Sequence, residues 1–261
     1  MLRAFGATDK GRVRPRNEDR FAIDEALQLL VVADGLGGHN AGEIASQLAV
    51  DNLVAFVRAS RTPAEDDAPT AAWPYGVDPA LTPAGNAVRT GICLANALVL
   101  EKAMSATEFY GMGTTLVVAL VEGNRVAVGH VGDSRLYLLT SGRLHALTRD
   151  DSWGAAMLVQ DPAMDPETLR DHPMRNALTN VVGGGARTTV HVIEETLSPG
   201  DVLLLSTDGV HGVLSAECLE RLLRGTDDLC AMASGVVSAA LSQGSRDNCT
   251  AVVARYHPSG S

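Results

Sequence analysis

The sequence predicts an α+β domain with largely antiparallel sheets. Short runs rich in β-branched residues and leucine end in turn residues, which is typical of strands. Longer segments carry apolar residues at three- and four-residue spacings, which is typical of helices. The chain has 261 residues, 46% of them hydrophobic, and can bury one large core. We therefore expect one domain over residues 1–257 and a short tail at 258–261.

The composition of the runs predicts the strands, and the turns between them predict how the strands pair. The predicted strands cover residues 27–33, 114–121, 125–131, 135–139, 190–195, 201–206 and 250–256. Tight polar turns at 122–124 and 141–143 join neighbouring strands in the manner of β-hairpins. The sheets should therefore be antiparallel, because parallel strands need long crossover connections.

Three segments are predicted to be helical and two others to be irregular. The helices are expected at 41–60, 85–106 and 215–243. Residues 61–83 are rich in proline, alanine and aspartate and favour an exposed loop, with an interaction site as the less favoured alternative. Residues 151–175 show no regular pattern and are predicted to form a flap-like segment.

Composition narrows the classes of partner and the cellular compartment. The formal net charge of −10 disfavours nucleic acid, whose recognition normally needs a basic surface. No run approaches the roughly 18 apolar residues of a membrane span, and the N-terminal stretch lacks the apolar segment of a secretory signal. We expect a cytoplasmic protein with no membrane partner. The four cysteines are widely spaced and predict neither a zinc site nor a disulfide framework.

Acidic residues recur at the ends of apolar strands. Asp34 follows one apolar run and precedes Gly35, and Asp208 follows another and also precedes a glycine. Asp247 comes just before the last strand, and Glu18 and Asp19 lie in a polar stretch before a short apolar one. A single Asp-Gly pair at a strand end is more often a turn or a helix cap. Their recurrence indicates one constellation of acids.

Buried carboxylates need partners, because an unpaired charge is costly to remove from water. A hard divalent cation supplies both charge and geometry, and oxygen ligands favour Mg²⁺ or Mn²⁺ over zinc. The recurring acids therefore predict a metal site. The glycines after Asp34 do not form a phosphate-binding P-loop, since its lysine and its spacing are missing.

Eight short motifs follow one another along almost the whole chain. In order they are VRPRNEDR, VVADGLGGHNAGEIAS, GMGTTL, VGHVGDSRLYLL, LTRDDS, HPMRNALT, LLLSTDGV and SRDNCTAVV. This series resembles the metal-dependent protein phosphatase family, type 2C, and its short bacterial members in particular. Each motif alone is weak evidence, whereas eight of them in family order are specific.

The resemblance implies a fold and a set of metal ligands. The fold is a four-layer αββα sandwich with two central antiparallel sheets and with the site in a cleft at one end of them. Asp34 is expected to bridge two Mn²⁺ or Mg²⁺ ions, and Gly35 to contribute its backbone carbonyl. Asp208 and Asp247 would complete the ligands of one ion, and Glu18 would lie near the other.

The resemblance also assigns roles outside this central set. Asp150 corresponds to a ligand of a third ion, shared with Asp208. Arg14 falls where the family keeps a phosphate-binding arginine, and a guanidinium can clamp phosphate oxygens in a bidentate manner. Without the resemblance, Arg14 would be one of several surface arginines. Asp133 is expected only to shape a turn, and Asp151 stands where bacterial relatives often have histidine.

The implied reaction is hydrolysis of phosphoserine and phosphothreonine in other proteins, the targets of a serine/threonine kinase, by a monomeric enzyme. Two cations can share a bridging water or hydroxide and hold it in line with the phosphate. The general acid is left open: Leu36 stands where animal members have histidine, and His39 is equally well explained as a loop residue. The alternative function is a pseudophosphatase, in which the fold serves as a protein-binding or sensor module.

Overall fold

The chain folds into layers, as seen in a computed structural model that describes residues 1–37, 41–61, 73–161, 163–169 and 172–258. Two antiparallel sheets lie face to face, and helices cover the outer face of each sheet. The α+β class and the four-layer αββα sandwich are thus confirmed. This stacking brings the ends of strands that are distant in the chain close together.

The described residues contain eleven strands, which form the two sheets. In chain order they are β1 (Leu2–Asp9), β2 (Asp19–Asp24), β3 (Leu29–Leu36), β4 (Gly113–Thr114), β5 (Leu116–Glu122), β6 (Arg125–Val131), β7 (Arg135–Thr140), β8 (Arg143–Ala146), β9 (His191–Thr196), β10 (Val202–Ser206) and β11 (Cys249–Tyr256). The first sheet has the order β1-β11-β10-β7-β8, and the second has the order β2-β3-β5-β6-β9 with β4 paired to β3. Their pairings are antiparallel, as predicted.

Seven α-helices lie within the described ranges. They are α1 (Ala41–Arg61), α2 (Pro83–Ser105), α3 (Trp153–Gln160), α4 (Pro166–Leu169), α5 (Asp208–His211), α6 (Ala216–Arg224) and α7 (Leu229–Ser242). Helices α1 and α2 pack on the second sheet, and α6 and α7 pack on the first. Among the described residues, no helix combines the length and the apolar character needed to cross a membrane.

Alternation along β3 shows how one strand contributes to two cores. Leu29 and Val31 belong to the core under α1 and α2, whereas Leu30 and Val32 belong to the core between the sheets. Successive side chains of a strand point to opposite faces, so a strand that is covered on both faces must be apolar throughout. The double burial of β3 accounts for its uninterrupted apolar run in the sequence.

Left-handed residues close the two predicted hairpins. Gly123, between β5 and β6, has a φ of +60°, and Ser141 and Gly142, between β7 and β8, have φ values of +50° and +77°. Such conformations match the twist of paired strands, and glycine adopts them without a steric penalty. The turns predicted at 122–124 and 141–143 are therefore confirmed.

Two features of the secondary structure differ from the prediction. A single helix over 215–243 is wrong, because Gly225 ends α6 and a new helix starts after it. Asp228 caps α7 by accepting a hydrogen bond from the backbone N–H of Cys230 at 2.9 Å. In addition, the sequence pattern does not predict β1, β2 and β8, whose residues are mostly half-buried or exposed and thus lack long apolar runs.

One of the two segments predicted to be irregular contains helices. Residues 151–175 include α3 and α4, so the prediction of a wholly irregular stretch is wrong. Ser152 caps α3 by accepting a hydrogen bond from the backbone N–H of Ala155 at 3.3 Å. In the predicted loop at 61–83, Trp73 packs edge-on against Phe56 of α1, with ring centroids 6.2 Å apart. Residues 62–72 of this loop, and the tail beyond residue 258, lie outside the described residues.

His130 of β6 is almost completely buried in the second sheet, at 2% exposure. It lies opposite His191 of β9, and the two rings stack with centroids 4.8 Å apart. Within the described part of the chain, Nδ1 of His130 has no hydrogen-bond partner. Burial, and then the neighbouring His191, lower the pKa of His130 to about 4. The folded state therefore favours the neutral ring.

We predict that His130 makes the protein sensitive to acid. Because its pKa falls on folding, its contribution to stability is complete above the unfolded value of about 6.5 and is lost as the pH falls toward about 4. From about pH 7 to about pH 4.5, this group should remove about 2 kcal/mol from the free energy of unfolding. In His130→Phe, the decrease in the free energy of unfolding between the two pH values should be smaller than in the wild type by about 2 kcal/mol. Urea titrations at both pH values measure it.

The matched control for this prediction is His145→Phe, at an exposed position of β8. This variant should keep the full acid sensitivity of the wild-type protein. If the free energy of unfolding of His130→Phe falls as much between the two pH values as that of the wild type, other groups cause the acid sensitivity.

Candidate active site

Acidic side chains from both sheets meet at one end of the sandwich. Asp19 opens β2 and lies directly opposite Asp34 in the register of β2 and β3. Asp208 follows β10 as the first residue of α5, and Asp247 lies just before β11. The charges of these four carboxylates act on one another. The sheets thus bring together acids that are far apart in the chain.

These carboxylates repel one another in a buried setting. Burial, and then the charges of Asp19 and Asp208, raise the pKa of Asp34 well above its ordinary value. Burial, and then the charge of Asp247, raise the pKa of Asp208, although a side-chain hydrogen bond with Asp34 acts against them. Oδ1 of Asp208 is buried and has no hydrogen-bond partner among the described residues. The cluster is therefore short of positive charge.

Asp19 is a member of the cluster to which the sequence analysis assigns no role. It is 1% exposed, and its Oδ2 accepts hydrogen bonds from Oγ1 of Thr207 at 2.9 Å and from Oγ1 of Thr250 at 2.7 Å. Burial raises the pKa of Asp19 to about 7, against the effect of these two hydrogen bonds. Its Oδ1 finds no partner in the part of the chain that is described. The one signal in the sequence is its place beside Glu18.

Threonine and glycine residues hold Asp34 in place. Oγ1 of Thr115 accepts a hydrogen bond from the backbone N–H of Asp34 at 3.0 Å, and Oγ1 of Thr114 donates to the Asp34 carbonyl at 2.8 Å. Gly35 packs so closely on α1 that a Cβ there would overlap the carbonyl oxygen of Gly42. This contact fixes the end of β3 against the start of α1. The ligand role of the Gly35 carbonyl stays a prediction.

Glu18 is anchored at the rim of the cluster through its backbone. Its N–H donates to Oδ1 of Asn248 at 2.8 Å, and its carbonyl accepts a hydrogen bond from Oγ of Ser46 at 2.6 Å. The side-chain amide of Asn248 also donates to the carbonyls of Lys10 and Arg16, both at 2.8 Å. Asn248 therefore ties the loop that carries Glu18 to β11. Burial raises the pKa of the Glu18 carboxyl group.

Arg14 lies at the edge of the cluster and pairs with Asp247. Its Nη2 donates to Oδ2 of Asp247 at 2.6 Å, and the two side chains are 51% and 34% exposed. This hydrogen bond raises the pKa of Arg14, and the charges of Asp34 and Asp208 add to the effect. The half-exposed guanidinium faces both the acids and the solvent, which is the setting expected of a phosphate clamp.

A cleft of about 360 Å³ opens beside Asp208. Asp150 lies in its wall, where its two carboxylate oxygens bind Nε of Arg135 at 2.7 Å and Nη2 at 2.8 Å. Asp133 lines the same cleft and is 7% exposed. Burial, and then the charges of Asp208 and Asp150, raise the pKa of Asp133 to about 7. Shaping a turn does not account for this placement, so Asp133 becomes a site candidate alongside Asp150.

His211 also lines the cleft, at the end of α5. Its Nδ1 forms a hydrogen bond with Oγ of Ser206 at 3.0 Å. Burial, and then the charge of Arg135, lower the pKa of His211 to about 3. The ring is therefore neutral near pH 7 and is a poor proton donor. His39, the histidine that the sequence raises as an acid, lies outside the described residues.

The donor set fits hard divalent cations. Its members are mostly carboxylate oxygens, and among the described residues Asp19 and Asp208 each keep one buried oxygen without a partner. Within the same ranges, no three histidine, cysteine or acidic side chains converge closely enough to hold a metal ion as they stand. A bound cation would compensate the charges of these carboxylates.

Comparisons with known proteins agree with this donor chemistry. The family model described as Protein phosphatase 2C matches residues 11–226. Serine/threonine protein phosphatase PstP from Mycobacterium tuberculosis is 35% identical over 259 residues, which cover 97% of this chain but only 45% of PstP. The chain thus spans less than half the length of that relative.

Two further matches cover nearly the whole of both partners. Serine/threonine phosphatase stp from Listeria monocytogenes is 31% identical over 250 residues, which cover 94% of this chain and 92% of stp. The crystal structure of the catalytic domain of PstP in complex with two manganese ions has a TM-score of 0.77 and 31% identity, and 97% of each chain is covered.

We predict that Asp208→Asn has opposite effects on the metal-free and the Mn²⁺-treated protein. Removing this charge relieves its repulsion with Asp34 and Asp247, so the metal-free variant should melt roughly 2 to 4 °C above the wild type. Added Mn²⁺ should raise the Tm of the wild type and leave that of the variant almost unchanged. Calorimetric scans with and without EDTA measure both effects.

Asp201→Asn is the matched control, because Asp201 is also a buried carboxylate but binds the backbone N–H of Ser198 in a turn before β10. It should keep the full response to Mn²⁺. The idea of repulsion at Asp208 would be contradicted by two results together. Without metal, Asp208→Asn would melt below the wild type, and added Mn²⁺ would raise its Tm as much as that of the wild type.

Proposed function

The chain belongs to the protein phosphatase 2C family, and we propose that it is a metal-dependent phosphatase of phosphoserine and phosphothreonine in other proteins. The relatives PstP and stp are named serine/threonine phosphatases. The catalytic domain of PstP was crystallised with two manganese ions. The substrates that we propose are proteins phosphorylated by a serine/threonine kinase.

The observation that carries this proposal is the convergence of buried and half-buried carboxylates that lack basic partners among the described residues. Asp19, Asp34 and Asp208 share one buried region, and each has a raised pKa. Acids with a purely structural role are normally paired with a base. Among the described members of the cluster, Asp247 is the one with an arginine partner, namely Arg14. The remaining negative charge favours a cation site.

Two Mn²⁺ or Mg²⁺ ions, when bound, would supply the Lewis acidity that activates water and neutralises phosphate oxygens. The residues proposed to hold them are Glu18, Asp34, Gly35, Asp208 and Asp247, with Asp150 and Asp133 as candidates for a third ion. Asp19 would help to position these residues, because its hydrogen bonds to Thr207 and Thr250 fix it beside Asp34.

Arg14 is proposed to bind and orient the phosphate. Its guanidinium is half exposed and already directed at the acidic cluster, so phosphate oxygens can replace or supplement Oδ2 of Asp247 as its partner. A phosphoryl group that is held in this way needs little further chemistry, since its transfer depends mostly on positioning and on charge compensation.

The leaving serine or threonine alkoxide must still receive a proton. Leu36 cannot supply one, and His211 is neutral near pH 7. We propose that a water molecule in the cleft protonates the leaving group, with His39 as the alternative that the sequence leaves open.

The alternative is a pseudophosphatase, in which the same fold binds a protein partner or senses a signal without hydrolysis. The intact acids argue against this alternative. Like charges that are kept together in a buried site destabilise the folded state, so a chain that no longer used them would gain stability by losing them.

We predict Mn²⁺-dependent hydrolysis of a phosphothreonine peptide that is lost with EDTA. Asp34→Asn and Asp208→Asn should each lower kcat/KM by at least about 100-fold, because each removes a carboxylate proposed to hold the cations. Phosphate release from the peptide measures the effect, and Asp201→Asn, remote from the cluster, should remain fully active. Folded, Mn²⁺-replete wild-type protein without turnover would favour the pseudophosphatase.

Arg14→Ala is predicted to weaken phosphate binding more than turnover. Loss of a charge-assisted contact should raise KM for the peptide roughly tenfold while kcat changes less. Steady-state kinetics separate the two constants. Arg12→Ala, at an exposed neighbouring position, is the matched control and should match the wild type. An unchanged KM in Arg14→Ala would move the phosphate clamp to another arginine.

A further inference from the structure

The turn of Gly132, Asp133 and Ser134 between β6 and β7 carries Asp133 into the cleft. Gly132 has a φ of +96°, a left-handed conformation, and a Cβ there would press on the side chain of Thr115. Oγ of Ser134 lies 2.7 Å from Oγ1 of Thr115, which also accepts the hydrogen bond from Asp34. The direction of the Asp133 carboxylate therefore depends on how this turn is held.

Asp151 holds the turn by both polar backbone groups of Gly132. Its backbone N–H donates to the Gly132 carbonyl at 2.9 Å, and its Oδ2 accepts a hydrogen bond from the Gly132 N–H at 3.1 Å. Two hydrogen bonds from one residue fix the peptide groups on either side of the Gly132 Cα. Rotation about that Cα would redirect the next residue, Asp133, and would break at least one of these bonds.

Asp151 is in turn fixed from three sides. Its Oδ1 accepts a hydrogen bond from Nε2 of His191 at 2.9 Å, and its Oδ2 accepts one from Nδ2 of Asn180 at 2.7 Å. Its carbonyl accepts a hydrogen bond from the N–H of Thr179 at 2.8 Å. The side chain is 14% exposed, and His191 stacks on the buried ring of His130. The carboxylate of Asp151 thus has little freedom to move.

We propose that Asp151 is a positioning residue that acts through Asp133: by holding Gly132 at both peptide groups, it aims the Asp133 carboxylate at Asp208. Asp151 bonds to Gly132, His191, Asn180 and Thr179, and its two bonds to Gly132 link it to the turn that carries Asp133. The inference rests on the proposed function, because aiming Asp133 matters for catalysis only where the acids hold cations. Partners that orient ligating groups commonly change metal affinity 10- to 100-fold when removed, which is about the effect expected here.

A double-mutant cycle on Mn²⁺ binding tests this inference. The proteins are the wild type, Asp151→Ala, Asp133→Asn and the double variant, each titrated with Mn²⁺ in a calorimeter after treatment with EDTA and dialysis. Asp151→Ala should weaken the lowest-affinity Mn²⁺ binding about tenfold in the wild-type background. In the Asp133→Asn background, the same change should have less than about a twofold effect, because the group it positions is already altered.

The conservative variant and a remote control separate positioning from general damage. Asp151→Asn keeps a side-chain oxygen that can accept from Gly132, so it should recover at least half of the lost affinity, and it replaces Asp151→Ala in the cycle should the alanine variant not fold. Asp201→Ala removes a similar carboxylate-to-backbone bond far from the cleft and should leave Mn²⁺ binding unchanged. The proposal would be overturned if Asp151→Ala weakened Mn²⁺ binding equally in the wild-type and the Asp133→Asn backgrounds. It would also be overturned if Asp201→Ala weakened Mn²⁺ binding as much as Asp151→Ala does.

Kinetics on a phosphothreonine peptide give a second readout. Asp151→Ala should lower kcat about tenfold at fixed Mn²⁺ with little change in KM, since Arg14, the proposed phosphate clamp, pairs with Asp247 and not with Asp151 or Asp133. A wild-type protein that binds Mn²⁺ but hydrolyses no phosphopeptide would defeat the proposed function, while the binding cycle would still decide the role of Asp151. A wild-type protein that binds no Mn²⁺ would overturn both.

Discussion

The carboxylate of Asp19 joins the two sheets at the end where the site lies. Asp19 belongs to β2 of the second sheet and accepts hydrogen bonds from Thr207, which directly follows β10 of the first sheet, and from Thr250 of β11 in the same sheet. Both hydroxyls are completely buried, so these bonds are protected from competition with water. These hydrogen bonds hold the strand end that carries Asp34 beside the segment after β10 that carries Asp208.

A second consequence of these hydrogen bonds is electrostatic. Holding the strand ends together places several like charges in a region of low solvation, which raises the pKa values of Asp19, Asp34 and Asp208. The hydroxyl and backbone hydrogen bonds keep the acids in place in spite of this repulsion. The arrangement is unfavourable for the isolated chain and favourable for binding cations, which is the usual relation between stability and function at a preorganised site.

Much of the fold and of the site could be predicted from the sequence, namely the parts that carry a local signal in the chain. Strands such as β5 were predictable because both of their faces are buried and the apolar run from Leu116 to Val121 is continuous. The half-exposed β1 was not, because neighbours outside its own segment decide that it is a strand. Asp34 and Asp208 were predictable because each stands between an apolar strand and a glycine, whereas Asp19 has no such local mark.

The sequence by itself determined the layered α+β class and the nature of the donors, because strand periodicity and the choice of carboxylates are local properties of the chain. Only the tertiary structure decided which acids share a site and how each is held. Asp150 pairs with Arg135, Asp133 and Asp208 line the same cleft, and Asp151 forms a hydrogen bond with Gly132. These relations join residues that are distant in the chain, and hydrogen bonds and charge repulsion fall off over a few ångströms of space rather than over positions in sequence.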